Sequence, residues 1–79
     1  MRSGRRDRRV FGGILKGFRE AAGVSQERLG ELAGLHRTHV SHMERGTRNF
    51  SIEAVEAVLC ALGVTWEEFG RAVDRSDPG

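Results

Sequence analysis

This 79-residue chain predicts an all-α fold of five helices. Apolar residues return at three- and four-residue intervals, as one buried face of a helix requires. Hydroxyl residues stand where helices need N-terminal acceptors, and glycines stand where they need stops. The first helix is expected over residues 10–22, with Phe11, Ile14, Leu15 and Phe18 on one face and Gly23 beyond its end. Gly12, Gly13 and Gly17 each cost it about 1 kcal/mol relative to alanine, so packing must hold it together. Ser25 caps a second helix over residues 26–33, and a third begins near Arg37 and stops before Gly46. Ser51 caps a fourth, whose stripe is Ile52, Val55, Val58, Leu59 and Leu62, with Gly63 as its stop. Thr65 and Glu68 form a capping box, each side chain serving the other's backbone N–H, and a fifth helix follows with Trp66, Phe69 and Val73.

Residues 26–45 carry the arrangement that two short helices crossing steeply demand. Gly30 and Ala33 are small where the helices would cross, and Gly34 supplies a turn tolerant of positive φ. Leu29, Leu35, Val40 and Met43 are the apolar set. What remains on the third helix is Arg37, Thr38, His39, Ser41, His42 and Arg45, a face of hydrogen-bonding groups suited to base edges in a DNA major groove. Gly46-Thr47-Arg48-Asn49 follows as a polar, basic turn.

Length and charge narrow the class further. A chain of this size is one domain with a limited buried fraction, which favours pairing with a second copy. No apolar run approaches the roughly 20 residues that span a bilayer, so no membrane partner is expected. The start lacks a secretory apolar stretch, and Cys60 is a lone cysteine, which together place the protein in the cytoplasm; among Val58, Leu59 and Leu62, Cys60 reads as core. Net charge is only +2, but it is sorted. Arg2, Arg5, Arg6, Arg8 and Arg9 crowd the start, Arg37, Arg45 and Arg48 the middle, and acids dominate from residue 50 onward. A basic side and an acidic side suit approach to a polyanion in one orientation. The organisation expected is a flexible basic arm over residues 1–9, a helix-turn-helix domain over 10–73 and a flexible tail over 74–79. The arm has two readings, an electrostatic aid that tracks phosphates or the minor groove, and a solvated tail.

The stretch from Leu35 to Gly46, with Ser25-Gln26-Glu27-Arg28-Leu29 before it, resembles the helix-turn-helix of the lambda-repressor and Cro-like (XRE) regulators. Arg37-Thr38-His39-Val40-Ser41 through Glu44-Arg45-Gly46-Thr47-Arg48-Asn49-Phe50-Ser51 further resembles the controller proteins of restriction-modification systems. The resemblance covers about residues 10–73. It implies a compact five-helix lambda-repressor-like domain, a homodimer, and a transcriptional regulator or repressor on a palindromic double-stranded DNA operator. By the same resemblance, Arg37, Thr38 and His42 read bases, with His39 and Ser41 at the edges. Gln26, Arg45, Thr47, Arg48, Asn49 and Ser51 hold phosphates, and Gln26 also braces the third helix. Arg19 and Glu44 match a structural ion pair. Arg37 is the first choice for base reading, because a guanidinium offers paired donors to guanine. His36 stands where the family prefers Ser or Asp, and as a poor cap it leaves the third helix to start late or itself reaches a phosphate.

Once a shared core is assigned to Phe11, Leu15, Phe18, Leu29, Val40, Val55, Leu59 and Leu62, the apolar residues left for a dimer contact are Phe50, Val58, Trp66 and Phe69. His36, His39 and His42 recur every third residue and raise a metal reading, but no second cysteine and no acid within the run completes a shell, so no metal, cofactor or small-molecule ligand is expected. No phosphate loop, nucleophile–base spacing or paired carboxylates in a cleft suggests an enzyme. The rival class is an antitoxin or adaptor that uses the same fold to bind another protein.

Overall fold

The computed structural model describes residues 8–48 and 50–76. Five helices follow one another: α1 (Arg8–Ala21), α2 (Gln26–Ala33), α3 (Arg37–Arg45), α4 (Ile52–Leu62) and α5 (Trp66–Ser76). Among the described residues there is no strand. The local signals act within one turn of where they stand. Ser25 Oγ accepts from the Arg28 N–H and Ser51 Oγ from the Ala54 N–H, each at 3.0 Å. Glu68 accepts from the Thr65 N–H at 2.8 Å while Thr65 Oγ1 accepts from the Glu68 N–H at 3.0 Å. Gly23, Gly34, Gly46 and Gly63 all stand at positive φ, and the last three close their helices in left-handed geometry.

α1 packs on α3, α4 and α5, and α2 packs on α3 and α4. The core they share consists of Leu15, Leu29, Val40, Met43, Ala54, Val55, Val58, Leu59, Phe69 and Val73. Phe11, Phe18 and Leu62, expected at its centre, are half-buried around it. Gly12 explains why glycine is tolerated inside α1. A Cβ there would lie 2.6 Å from the Glu44 carbonyl oxygen and closer still to that of Met43, so only glycine lets the backbones of α1 and α3 approach this closely.

Four expectations need correction. Val58, reserved for a partner, is 1% exposed and Phe69 is buried as well, so both are largely spent on the subunit's own core. Val58 shares the inward face of α4 with Ala54, Val55 and Leu59, a wider stripe than a strict four-residue count suggests. Phe69 is held between Phe11 and Trp66, with ring centroids 6.2 and 6.1 Å away. Cys60 is exposed rather than core, because residues four and seven positions before it are Glu56 and Glu53, which share its side of the helix. Arg8 and Arg9, assigned to the arm, open α1, where the backbone of Arg9 lies against Gly46; a Cβ on that glycine would sit 2.7 Å from the Arg9 Cα. Asp74, Arg75 and Ser76, assigned to the tail, close α5, and Ser76 Oγ donates to the Val73 carbonyl at 2.7 Å. Residues 1–7 of the arm and 77–79 of the tail lie outside the described residues.

Candidate nucleic-acid interface

The placement of α3 starts with its neighbour α2. The left-handed turn at Gly34 (φ 75°) reverses the chain, and at Gly30 a Cβ would stand 2.5 Å from the Leu35 carbonyl oxygen. Glycine at both places lets the α2–α3 connection fold back tightly. Val40 and Met43 then bury the inner face of α3 at 1% and 2% exposure.

The third buried residue of α3 is charged. Glu44 receives a two-point contact from Arg19 of α1, Nε to Oε2 at 2.5 Å and Nη2 to Oε1 at 3.1 Å. Arg19 Nη1 donates in addition to the Val24 carbonyl at 2.7 Å, and Gln26 Nε2 donates to Glu44 Oε1 at 3.0 Å. The Arg19 and Glu44 side chains are 11% and 3% exposed, a degree of burial that an unpartnered charge would not tolerate. Hydrogen bonding to Glu44 raises the Arg19 guanidinium above its ordinary pKa, outweighing the opposing effect of burial. One network therefore ties α1, the α1–α2 turn and the start of α2 to the end of α3. The Val24 carbonyl has no signal in the sequence, whereas the brace from Gln26 that the resemblance implies is made to the Glu44 carboxylate itself.

The outer face of α3 is left open. Arg37, Thr38, His39 and Arg45 are exposed, and Ser41 and His42 are half-exposed. Thr38, His39, His42 and Arg48 surround one recess of about 340 Å³, so a candidate phosphate ligand joins three candidate base readers there. Arg37 borders a separate recess with Glu27, Glu31, Leu35 and His36. Burial lowers the His42 pKa, and Arg48, Arg45 and His39 lower it further by repulsion, a sign that the surface concentrates positive charge. Thr47 is exposed, Ser51 is occupied as the α4 cap with its residue still exposed, and Asn49 lies outside the described residues.

His36 departs from the sequence expectation. Its backbone is extended (φ −71°, ψ 147°) and its Nδ1 accepts from the Thr38 N–H at 3.1 Å, so α3 begins promptly at Arg37 with histidine as its cap. An imidazole nitrogen without a proton is an acceptor like a hydroxyl oxygen, and the extended backbone brings it within reach. Among the described residues, no group of three His, Cys, Asp or Glu side chains is placed to hold a metal.

A short helix locked from behind by an ion pair and presenting only donors and acceptors in front defines a DNA-binding helix-turn-helix regulator. The chain belongs to the helix-turn-helix family, which matches it over residues 15–69. It is 43% identical over 58 residues to the control protein C.BamHI of Bacillus amyloliquefaciens, covering 72% of each chain. Its fold superimposes on the restriction-modification controller protein C.AhdI of Aeromonas hydrophila with a TM-score of 0.74 and 39% identity, over 77% of this chain and 92% of that one. The controller protein C.Esp1396I, crystallised as a tetramer on its natural 35 base-pair operator, matches with a TM-score of 0.83 and 27% identity over 90% and 93% of the two chains. Among the described residues, no helix is long and apolar enough to cross a membrane.

Proposed function

We propose that this protein is a cytoplasmic restriction-modification controller, a non-enzymatic regulator that binds a near-palindromic operator as a homodimer. The observation that carries this reading is the division of α3: Val40, Met43 and Glu44 are buried against the body while Arg37, Thr38 and His39 stand free. Arg37 and Thr38, in the first turn, are placed as the leading base readers, with His42 and the flanking His39 and Ser41 following the groove. Arg45, Thr47, Arg48, Asn49 and Ser51 are assigned to phosphates, with Gln26 spanning the brace and the backbone. Such contacts position the protein without reading sequence. The operator complex of C.Esp1396I supports the DNA partner and the assembly of more than one subunit.

The second subunit is assigned to the apolar hollow of about 360 Å³ whose outer wall is Phe11, Phe50, Ile52 and Trp66 beside Arg8, with the buried Val55 and Phe69 as its floor. Ile52 and Trp66 are 67% and 45% exposed, an apolar surface that water should not be left to cover. Two-fold pairing through it presents two α3 helices to half-sites about 34 Å apart.

A binding selection from random duplexes, followed by titrations in rising salt, tests the reading. Arg37→Ala is expected to relax preference at one position of the selected site by about 1–3 kcal/mol. Arg48→Ala is expected to weaken all duplexes alike and to flatten the salt dependence by about one ion. Undiminished binding by both variants places DNA on another face. Trp66→Ala is expected to sediment toward monomer, and a wild-type profile removes Trp66 from the interface.

A further inference from the structure

We infer that Glu27 is a positioning residue for operator specificity: its carboxylate turns Arg37 toward base edges and away from phosphates. The inference rests on the DNA face proposed above. Glu27, Glu31, Leu35, His36 and Arg37 border one recess of about 240 Å³ between α2 and the start of α3. Glu31 is already matched there, in an exposed pair with Arg28 at 3.1 Å. Glu27 and Arg37 share the recess without closing on each other, and among the described residues neither side chain has a hydrogen bond or an ion pair. Ser25 Oγ supplies the N-terminal acceptor of α2, and Gln26 is turned to Glu44, so neither the cap nor the brace uses Glu27. A first-turn acid also suits the α2 dipole, a contribution indifferent to DNA sequence.

A guanidinium beside a duplex meets two kinds of acceptor. Every sequence offers phosphates, whereas O6 and N7 together mark a guanine. Glu27 separates the two. A phosphate drawn to Arg37 brings a full negative charge toward the unmatched carboxylate, and the two repel. Guanine brings no net charge, and the cytosine paired with it carries an N4 amino group that a carboxylate can accept from. The phosphate contact of Arg37 is therefore weakened more than its base contact. The remaining groups at the recess do not have this effect, because Arg28 and Glu31 offset each other and His36 Nδ1 is occupied by the Thr38 N–H. The recess at Arg48 is the counterexample on the same face. Thr38, His39, His42 and Arg48 line it, with no acid among them, which leaves that arginine suited to phosphates.

Affinities for a duplex selected from a random library and for a scrambled duplex of equal length, measured at one salt concentration, test this. In Glu27→Gln, which keeps size and helix propensity, the scrambled duplex is expected to bind more tightly. The ratio of selected to scrambled affinity is expected to fall about three- to fivefold, the size of an exposed charge interaction. Glu27→Asp, which keeps the charge, is expected to retain the wild-type ratio. In an Arg37→Ala background, Glu27→Gln is expected to strengthen both duplexes alike and leave the ratio where Arg37→Ala put it. An unmoved ratio in Glu27→Gln shows a carboxylate that repels all DNA equally and overturns the proposal. So does a Glu27→Asp ratio as low as that of Glu27→Gln, or an equal fall in the Arg37→Ala background. A ratio lost in Arg37→Ala but kept in Glu27→Gln removes this role of Glu27 and leaves the DNA face standing. A ratio undiminished in Arg37→Ala, or a selection without a preferred duplex, overturns the face and the inference together.

Discussion

α3 and α4 are both short, both begin on an acceptor side chain and both end on a left-handed glycine, yet they are held in place by opposite means. α4 is held by area: Ala54, Val55, Val58 and Leu59 all face the core. α3 buries only Val40, Met43 and Glu44, and its position depends on directed contacts, the Arg19–Glu44–Gln26 network and the close passage of α1 at Gly12. The difference follows from what each must leave uncovered. A helix that presents its outer face to another molecule has little apolar surface to spend, so a few polar contacts of defined geometry take over the task of orienting it. Polar contacts specify angle and register, which apolar packing does only loosely.

The comparison is broken most directly at Glu44. Glu44→Ala strands the Arg19 guanidinium in a nearly closed site and is expected to cost about 3–5 kcal/mol in urea unfolding. A loss below about 1 kcal/mol means that α3 is held by packing after all. Next comes Leu59→Ala in α4, expected to cost about 2–5 kcal/mol through a cavity. The sharper contrast is in DNA binding. Under conditions where each variant stays folded, Leu59→Ala is expected to keep near wild-type affinity while Glu44→Ala loses it, and equal losses erase the distinction between the helices.

Gly12→Ala probes the other directed contact and is expected to cost about 1–3 kcal/mol, because the methyl group meets backbone that cannot rotate away. Gly13→Ala, with open space around it, is expected to be neutral or stabilising by up to about 1 kcal/mol. Identical thermal melts for the two variants remove the close approach as an explanation.

The smallest effect belongs to the outer face. The His42 pKa is lowered in the fold, so the native state binds fewer protons than the unfolded chain as pH falls. The stability His42 contributes is therefore present above about pH 6.5 and is lost as pH drops through the lowered folded value. His42→Gln is expected to flatten the acid decline in melting temperature, and an unchanged pH profile assigns the decline to other groups.

The five helices were legible because their signals are local. Ser25, Ser51, the Thr65–Glu68 box and the stops at Gly23, Gly34, Gly46 and Gly63 each act on backbone groups within a turn, and no distant residue is needed to satisfy them. Within the site, the polar face of α3 could be read from spacing, and the pairing of Arg19 with Glu44 from likeness to a family. The cap at His36 was missed because residue type alone argued against it, and the tertiary backbone is what delivers Nδ1 to the Thr38 amide.

The amino-acid order alone determined that there are five helices, where α2 and α4 begin and end and which side of α3 is polar, since these depend on neighbours one to four residues apart; the start of α1 and the end of α5 it misplaced. Only the folded chain decided that Val58 and Phe69 turn inward, that Cys60 faces solvent, that Gly12 is a contact rather than a weakness, and that the brace from Gln26 is made through the Glu44 carboxylate. Those outcomes depend on which faces meet across the core, a choice made by all five helices packing at once and encoded in no single stretch of them.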